Sequence, residues 1–208
     1  AIKKKQEGDY FENLFSYGIT LNKLDQNFQP TDGYLTKFTQ TLPIYSDDST
    51  IENALRASKY HSVNDGLILS AKFFFESVNS LDENVRVSKR VYIPSQRLRG
   101  FESGSIGPKD GTQYIGGNYG SAINFNTTLP NLLNGYENID FNLFFDAANL
   151  WHVDYDSSLD SDKIRSSTGI SVNWFTVIGP LSFSYAIPIS EAATDKTESF
   201  RFQIGTSF

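Results

Sequence analysis

From about residue 11 onward the chain is written in a two-residue period. In the last segment Phe200, Phe202, Ile204, Thr206 and Phe208 fall on one side, with Arg201, Gln203, Gly205 and Ser207 on the other. Successive strand side chains point to opposite faces, so such a segment has one apolar face and one small or polar face. Leu181, Phe183, Tyr185 and Ile187 alternate in the same way with Ser182, Ser184 and Ala186. Ile170, Val172 and Trp174 oppose Gly169, Ser171 and Asn173; Ile139, Phe141, Leu143 and Phe145 oppose Asp140, Asn142, Phe144 and Asp146. Ile123, Phe125 and Leu129 oppose Asn124, Asn126 and Thr128, and Leu67, Leu69, Phe73 and Phe75 oppose Ser70, Lys72 and Glu76. Weaker strands over 11–21, 34–42 and 51–60 bring the count to nine.

A soluble sandwich alternates too, so the choice between it and a membrane barrel rests on other features. The second face is small and polar, suited to a wet interior, and aromatics recur near strand ends as in an interfacial girdle. Connections alternate in length: short at 62–65 and 178–180, long at 77–119 and 152–163. Short turns at one end and long loops at the other are the pattern of an outer-membrane barrel. Pro130 and Pro188 are placed at strand ends, where a missing N–H costs least. The fold expected is all-β, an antiparallel transmembrane β-barrel. Nine strands is an odd number for a complete bacterial barrel, which points to the C-terminal portion of a larger one, of about 16 strands.

Composition narrows the function classes. With 18 Lys+Arg against 24 Asp+Glu the chain lacks the basic balance of a nucleic-acid binder. It contains no cysteine, so thiolate metal sites and disulfides are excluded. No window approaches the ~18–20 apolar residues of a spanning helix. The start, Ala1 to Gln6, is basic, but no apolar stretch or cleavage site follows it, and the chain has no methionine. These features read as an interior piece of a longer precursor, preceded by a signal peptide and N-terminal domains.

Between the strand-like halves lie Leu98-Arg99-Gly100-Phe101, Ile106-Gly107-Pro108 and Gly116-Gly117-Asn118. Together with Leu21-Asn22-Lys23-Leu24-Asp25, Pro30-Thr31-Asp32-Gly33, Gly179-Pro180-Leu181, Phe183-Ser184-Tyr185 and the terminal strand, these segments resemble the C-terminal barrel of the BamA family of outer-membrane β-barrel assembly proteins. The likeness runs over nearly all of 1–208, and the order and spacing of the motifs carry it. It implies that the Arg-Gly-Phe loop is the sixth extracellular loop, folded back into the lumen. Arg99 would then meet Asp146, the acid of the family's aromatic-x-Asp position, with Phe144 as the aromatic. Asn126 stands where the family often offers a glutamate, which implies a single-carboxylate latch, and the short 107–116 segment implies a thinner plug. A confined guanidinium gains from a bidentate carboxylate and an aromatic face, and Gly100 allows a tight turn beside it.

The terminal strand resembles the family's β-signal, carried by Phe200, Phe202, Ile204, Gly205 and Phe208. The resemblance implies noncatalytic folding and insertion of β-barrel proteins into the bacterial outer membrane, by lateral opening and strand templating at the seam. A client strand would add to the opened edge through backbone hydrogen bonds. Implied partners are outer-membrane lipids and lipopolysaccharide, unfolded outer-membrane protein clients, and accessory lipoproteins acting mainly through N-terminal domains. No cofactor or metal is implied. The alternatives are a translocation pore of the same superfamily, of the TamA or two-partner-secretion type, then a passive porin and an outer-membrane lipase.

Each motif also has a plainer reading. Arg99 alone would be an exposed loop arginine, and Asp146 an ordinary luminal charge. Asp154, Asp156, Asp160 and Asp162 lack the glycine and glutamate of a calcium loop and read as a solvated outer loop. His61 and His152 have no serine–acid context for a triad.

Overall fold

Nine strands of one sheet follow one another in space as they do in sequence. The structure, a computed structural model, describes residues 6–130, 132, 138–177 and 179–205. The strands are β1 (Glu12–Asn22), β2 (Gly33–Ser46), β3 (Thr50–Asn64), β4 (Leu67–Ser80), β5 (Tyr119–Thr128), β6 (Ile139–Trp151), β7 (Arg165–Thr176), β8 (Gly179–Ser190) and β9 (Phe200–Ile204). They form one nine-stranded antiparallel meander in which each pairs with its neighbours in sequence, and among the described residues β1 and β9 each keep one free edge. Ile178, in one expected turn, and Thr206, Ser207 and Phe208, in the expected last strand, lie outside the described residues, as do residues 1–5.

The two faces differ as the alternation requires. Ile19, Leu69, Phe73, Phe125, Leu143, Phe145, Ile170, Trp174, Tyr185, Ile187 and Phe202 are exposed on the outside. An apolar surface of that extent belongs against lipid. Asn124, Asn142, Asp146, Ser167, Ser171 and Ser184 point inward and are buried.

The interior is drier near the long loops than a polar face alone implies. Phe74, Val78, Ala122, Ala148 and Leu150 from β4–β6 pack with Val85, Val91, Ile93, Leu98, Phe101 and Ile106 from the connection 81–118. The long connection therefore brings its own apolar side chains and folds as a second layer on the inner face of the sheet. Its close approach is visible at Gly120, where a Cβ would stand 2.7 Å from Val91 and 2.9 Å from Leu150. Residues 107–116 contribute a small ladder, Lys109–Asp110 against Gln113–Tyr114. A cavity of about 880 Å³ remains toward the short turns, lined by Lys37, Arg56, Lys72, Asn142 and Ser182 among others.

Several strands outrun their expected bounds. β3 continues to Asn64, leaving Asp65-Gly66 as the turn, with Gly66 at φ 84°. Pro188 does not end its strand: β8 runs on to Ser190, and Pro188 pairs with Ser167 beside a register shift at Ser166/Ser167. Pro43 of β2 pairs with Leu14 beside a second shift, at Asn13/Leu14. A bulge interrupts the ladder locally, which is where a residue lacking an N–H can sit without leaving a carbonyl unpaired.

Phe74 is fully buried at the floor of the loop core. Phe74→Ala should destabilise the full-length protein by about 3–5 kcal/mol, read as a lower temperature at which the folded, fast-migrating electrophoretic species is lost. Phe73→Ala, on the lipid-facing side of the same strand, should move that temperature much less.

Candidate functional site

Strand register builds a platform on the inner face before any loop residue arrives. Asp146 of β6 lies between Asn124 of β5 and Ser167 of β7, and Phe144 lies between Asn126 and Gly169. Gly169 leaves room for the Phe144 ring, whose Cζ would be 2.9 Å from a Cβ at that position. The ring can then lie along the sheet with its face turned to the lumen.

Onto this platform comes the segment 95–101. A short 3-10 turn, Ser95–Arg97, is followed by buried Leu98 and then by Arg99. The Arg99 guanidinium grips Asp146 with both prongs, Nε to Oδ2 at 2.8 Å and Nη2 to Oδ1 at 2.8 Å, and its backbone N–H donates to Oδ2 at 3.1 Å. Nη2 also donates to the Asn126 side-chain oxygen at 2.8 Å, and Cζ lies 3.5 Å from the centroid of the Phe144 ring. Asp146 is completely buried and accepts a fourth hydrogen bond from Asn124 Nδ2 at 2.8 Å. A carboxylate offers about four lone-pair sites, so its capacity is filled.

Neighbours of Asp146 hold the loop backbone. Asn124 Nδ2 donates to the Arg97 carbonyl at 2.9 Å, and Ser167 Oγ to the Arg99 carbonyl. Gly100 then turns at φ 90°, in the left-handed region, where a Cβ would sit 3.2 Å from Ala186 and 3.3 Å from Ser167. Only glycine supplies both the dihedral and the space. Phe101 follows into the loop core at 2% exposure.

The structure thus brings Leu98, Arg99, Gly100, Phe101, Asn126, Phe144 and Asp146 together. Asn126 takes part as a neutral acceptor. Phe200, Phe202 and Ile204 lie apart from this cluster, exposed on the outer face. Gly205 has φ 106° and donates its N–H to the Pro180 carbonyl at 2.9 Å. Phe208 is outside the described residues.

Further arginines, not singled out by sequence, anchor the same outer structure. Arg86 pairs with Glu12 at 2.7 Å and with Asp48, while lying 3.6 Å from the Tyr10 ring centroid. Arg165 forks onto Asp195 at 2.8 and 3.0 Å, and both side chains are almost wholly buried. Arg90, fully buried, pairs with Asp154, which also accepts from Asn118 at 3.0 Å and from the Val85 N–H at 2.7 Å. The solvated-loop reading of the 154–162 aspartates holds for Asp156, Asp160 and Asp162, which are exposed, and is corrected at Asp154. Asp154 is a half-buried anchor for Arg90; Asp160 accepts the Val153 N–H at 2.6 Å, and Asp156 caps the turn Ser157–Leu159. Among the described residues no group of three or more His, Cys, Asp or Glu is arranged to hold a metal.

Comparison with known proteins places this architecture. The Omp85 superfamily domain matches residues 1–208. The chain belongs to the Omp85 superfamily. Outer membrane protein assembly factor BamA of Neorickettsia risticii is 27% identical over 215 aligned residues, covering 99% of this chain and 28% of that protein. BamA of Nitratidesulfovibrio vulgaris is 26% identical over 97% of this chain and 26% of its own length. The crystal structure of BamA from Haemophilus ducreyi lacking POTRA domains 1–3 superposes with a TM-score of 0.83 at 29% identity, covering 91% of this chain and 41% of that one. The chain thus spans about a quarter of the length of these two curated relatives. Within an Omp85 barrel the nine strands are outer-membrane strands, and the 81–118 connection folds onto their inner face.

Burial pushes the Asp154 carboxyl up, but hydrogen bonds from Asn118 and Val85 and the Arg90 charge outweigh it and hold it below its ordinary value. A carboxyl lowered by folding contributes stability that is complete above its unfolded value, near 4, and lost as pH falls through the folded value. Limited proteolysis of the 81–118 and 152–164 loops in the full-length protein should accelerate as pH drops from about 6 to about 3. In Asp154→Asn the loops should be more susceptible at the upper pH and show a smaller acid step.

Proposed function

We propose that this chain is the C-terminal barrel portion of an outer-membrane assembly factor, preceded in the full protein by the first barrel strands and periplasmic domains. It folds and inserts β-barrel proteins without covalent chemistry. The observation that carries this reading is the terminal strand. Among the described residues β9 pairs with β8 over Leu181–Tyr185, with the Ala186 N–H donating to the Ser199 carbonyl at 2.8 Å and the Gly205 N–H to the Pro180 carbonyl at 2.9 Å at the two ends, and its other edge is unpaired. An unpaired strand edge can template a client strand through its backbone groups. The client's own burial and hydrogen bonding would drive insertion, with the barrel lowering the barrier. Its partners in this reading are outer-membrane lipids and lipopolysaccharide, unfolded outer-membrane proteins, and lipoproteins bound mainly by the N-terminal domains.

The Arg99 latch gives the barrel a fixed interior against which the seam can move. Removing one partner of a buried pair costs about 3–5 kcal/mol, because the other charge is left unpaired. Arg99→Ala in the full-length protein should therefore slow assembly of a reporter outer-membrane protein and weaken the heat-resistant folded species. Charge exchange, Arg99→Asp with Asp146→Arg, should restore part of both. Untouched assembly and migration in Arg99→Ala would defeat the latch, and normal assembly with lost protein export would move the chain to the translocation pores of the superfamily.

A further inference from the structure

Among the described residues of the terminal strand, Arg201 of β9 is the one whose charged side chain ties it to the luminal loop. It stands opposite Ser184 on the inner face, and its side chain is 10% exposed. Its guanidinium donates from Nη1 to the Ser95 carbonyl at 2.6 Å and from Nη2 to the Phe101 carbonyl at 2.5 Å. Glu198 neutralises it, accepting from Nε at 3.0 Å and from Nη2 at 2.7 Å. Gln203, two residues along the same face, adds a weaker contact from Nε2 to Ser95 Oγ at 3.3 Å.

The two carbonyls that Arg201 holds are the two ends of the segment 95–101, and Arg99 inside that segment holds Asp146 on β6. Loop and strand are joined further by the ladder Gly100–Phe101 against Thr197–Glu198 and by the Glu102 N–H donating to the Lys196 carbonyl at 2.9 Å. One short piece of backbone is thus fastened to β6 on one side and β9 on the other, passing over β7 and β8. A guanidinium suits this task because its rigid fork fixes the spacing of two acceptors, whereas an ammonium is a point charge.

We propose that Arg201 is a positioning residue for the seam. It makes the segment 95–101 a strut between β6 and β9, so the terminal strand and the luminal loop hold or release each other. In a barrel that opens at its last strand, β9 then leaves β8 only as the loop loosens. That consequence rests on the seam-opening reading above, whereas the coupling of strand and loop does not.

Coupling between two sites is reciprocal, which supplies the test. Hydrogen exchange of the full-length protein in native membranes, read by mass spectrometry, follows peptides covering 95–101 and 200–205. Arg201→Gln should speed exchange in both by about tenfold, the loss expected for a charge-assisted hydrogen bond, with the β5–β6 ladder unchanged. Arg99→Gln, which touches no atom of β9, should speed exchange in 200–205 as well. If Arg201→Gln fails to give a folded species, Arg201→Lys replaces it and should lose part of the protection in both segments together. Faster exchange confined to β9 in the Arg201 variants, or unchanged β9 exchange in Arg99→Gln, would overturn the strut. Failure of the assembly reading would show instead as normal reporter assembly with lost protein export, whatever the exchange result.

Discussion

A cation taken out of water must replace the partners it leaves, and Arg99 does so with a carboxylate, an amide and an aromatic face. Its guanidinium reaches both oxygens of Asp146, the Asn126 amide and the face of Phe144. An ion pair of this kind is weak evidence for stability, because desolvation offsets most of the attraction. It is strong evidence for placement: any other position of the loop would strand a charge on each side. The turn at Gly100 and the burial of Leu98 and Phe101 follow on either side of that pairing.

Sheet register prepares the pairing. Because neighbouring strands place Asn124, Asp146 and Ser167 in one row and Asn126, Phe144 and Gly169 in the next, every group that receives the loop already points inward. The outer residues of the same strands meet the hydrocarbon, so the two-residue period that makes the sheet lipid-compatible also makes its inner face a docking surface. The long connection adds an apolar layer of its own, which is why the inner face is packed near the long loops and open toward the short turns.

Much of this was legible in the sequence, and the limits have physical causes. All nine strands could be placed because their alternation is the condition for having one lipid-facing side. Arg99 and Asp146 could be joined through the family resemblance, since nothing in the alternation relates a loop residue to a strand residue 47 positions away. Pro188 misled because a bulge, which tolerates proline, leaves no trace in polarity. Phe74 and Val78 lie on the inner side of β4, where side chains of the loop core pack against them. Arg201 carried a faint signal, an arginine on the small inner side of the terminal strand, but its targets are backbone carbonyls, which every residue possesses. Arg90 and Arg165 escaped notice for a related reason: their acids lie in loops, where aspartate is common whether or not it is buried.

The central claim, that Arg99 and Asp146 act as one unit holding the loop, is tested most directly by a double-mutant cycle on the folded-state stability of the full-length protein. Arg99→Ala, Asp146→Ala and the double variant are compared by the denaturant or temperature at which the folded species is lost. Mutual dependence predicts a coupling of about 2–3 kcal/mol, with Arg99→Ala costing far less once Asp146 is gone. Additive losses, with Arg99→Ala equally costly in both backgrounds, would contradict it.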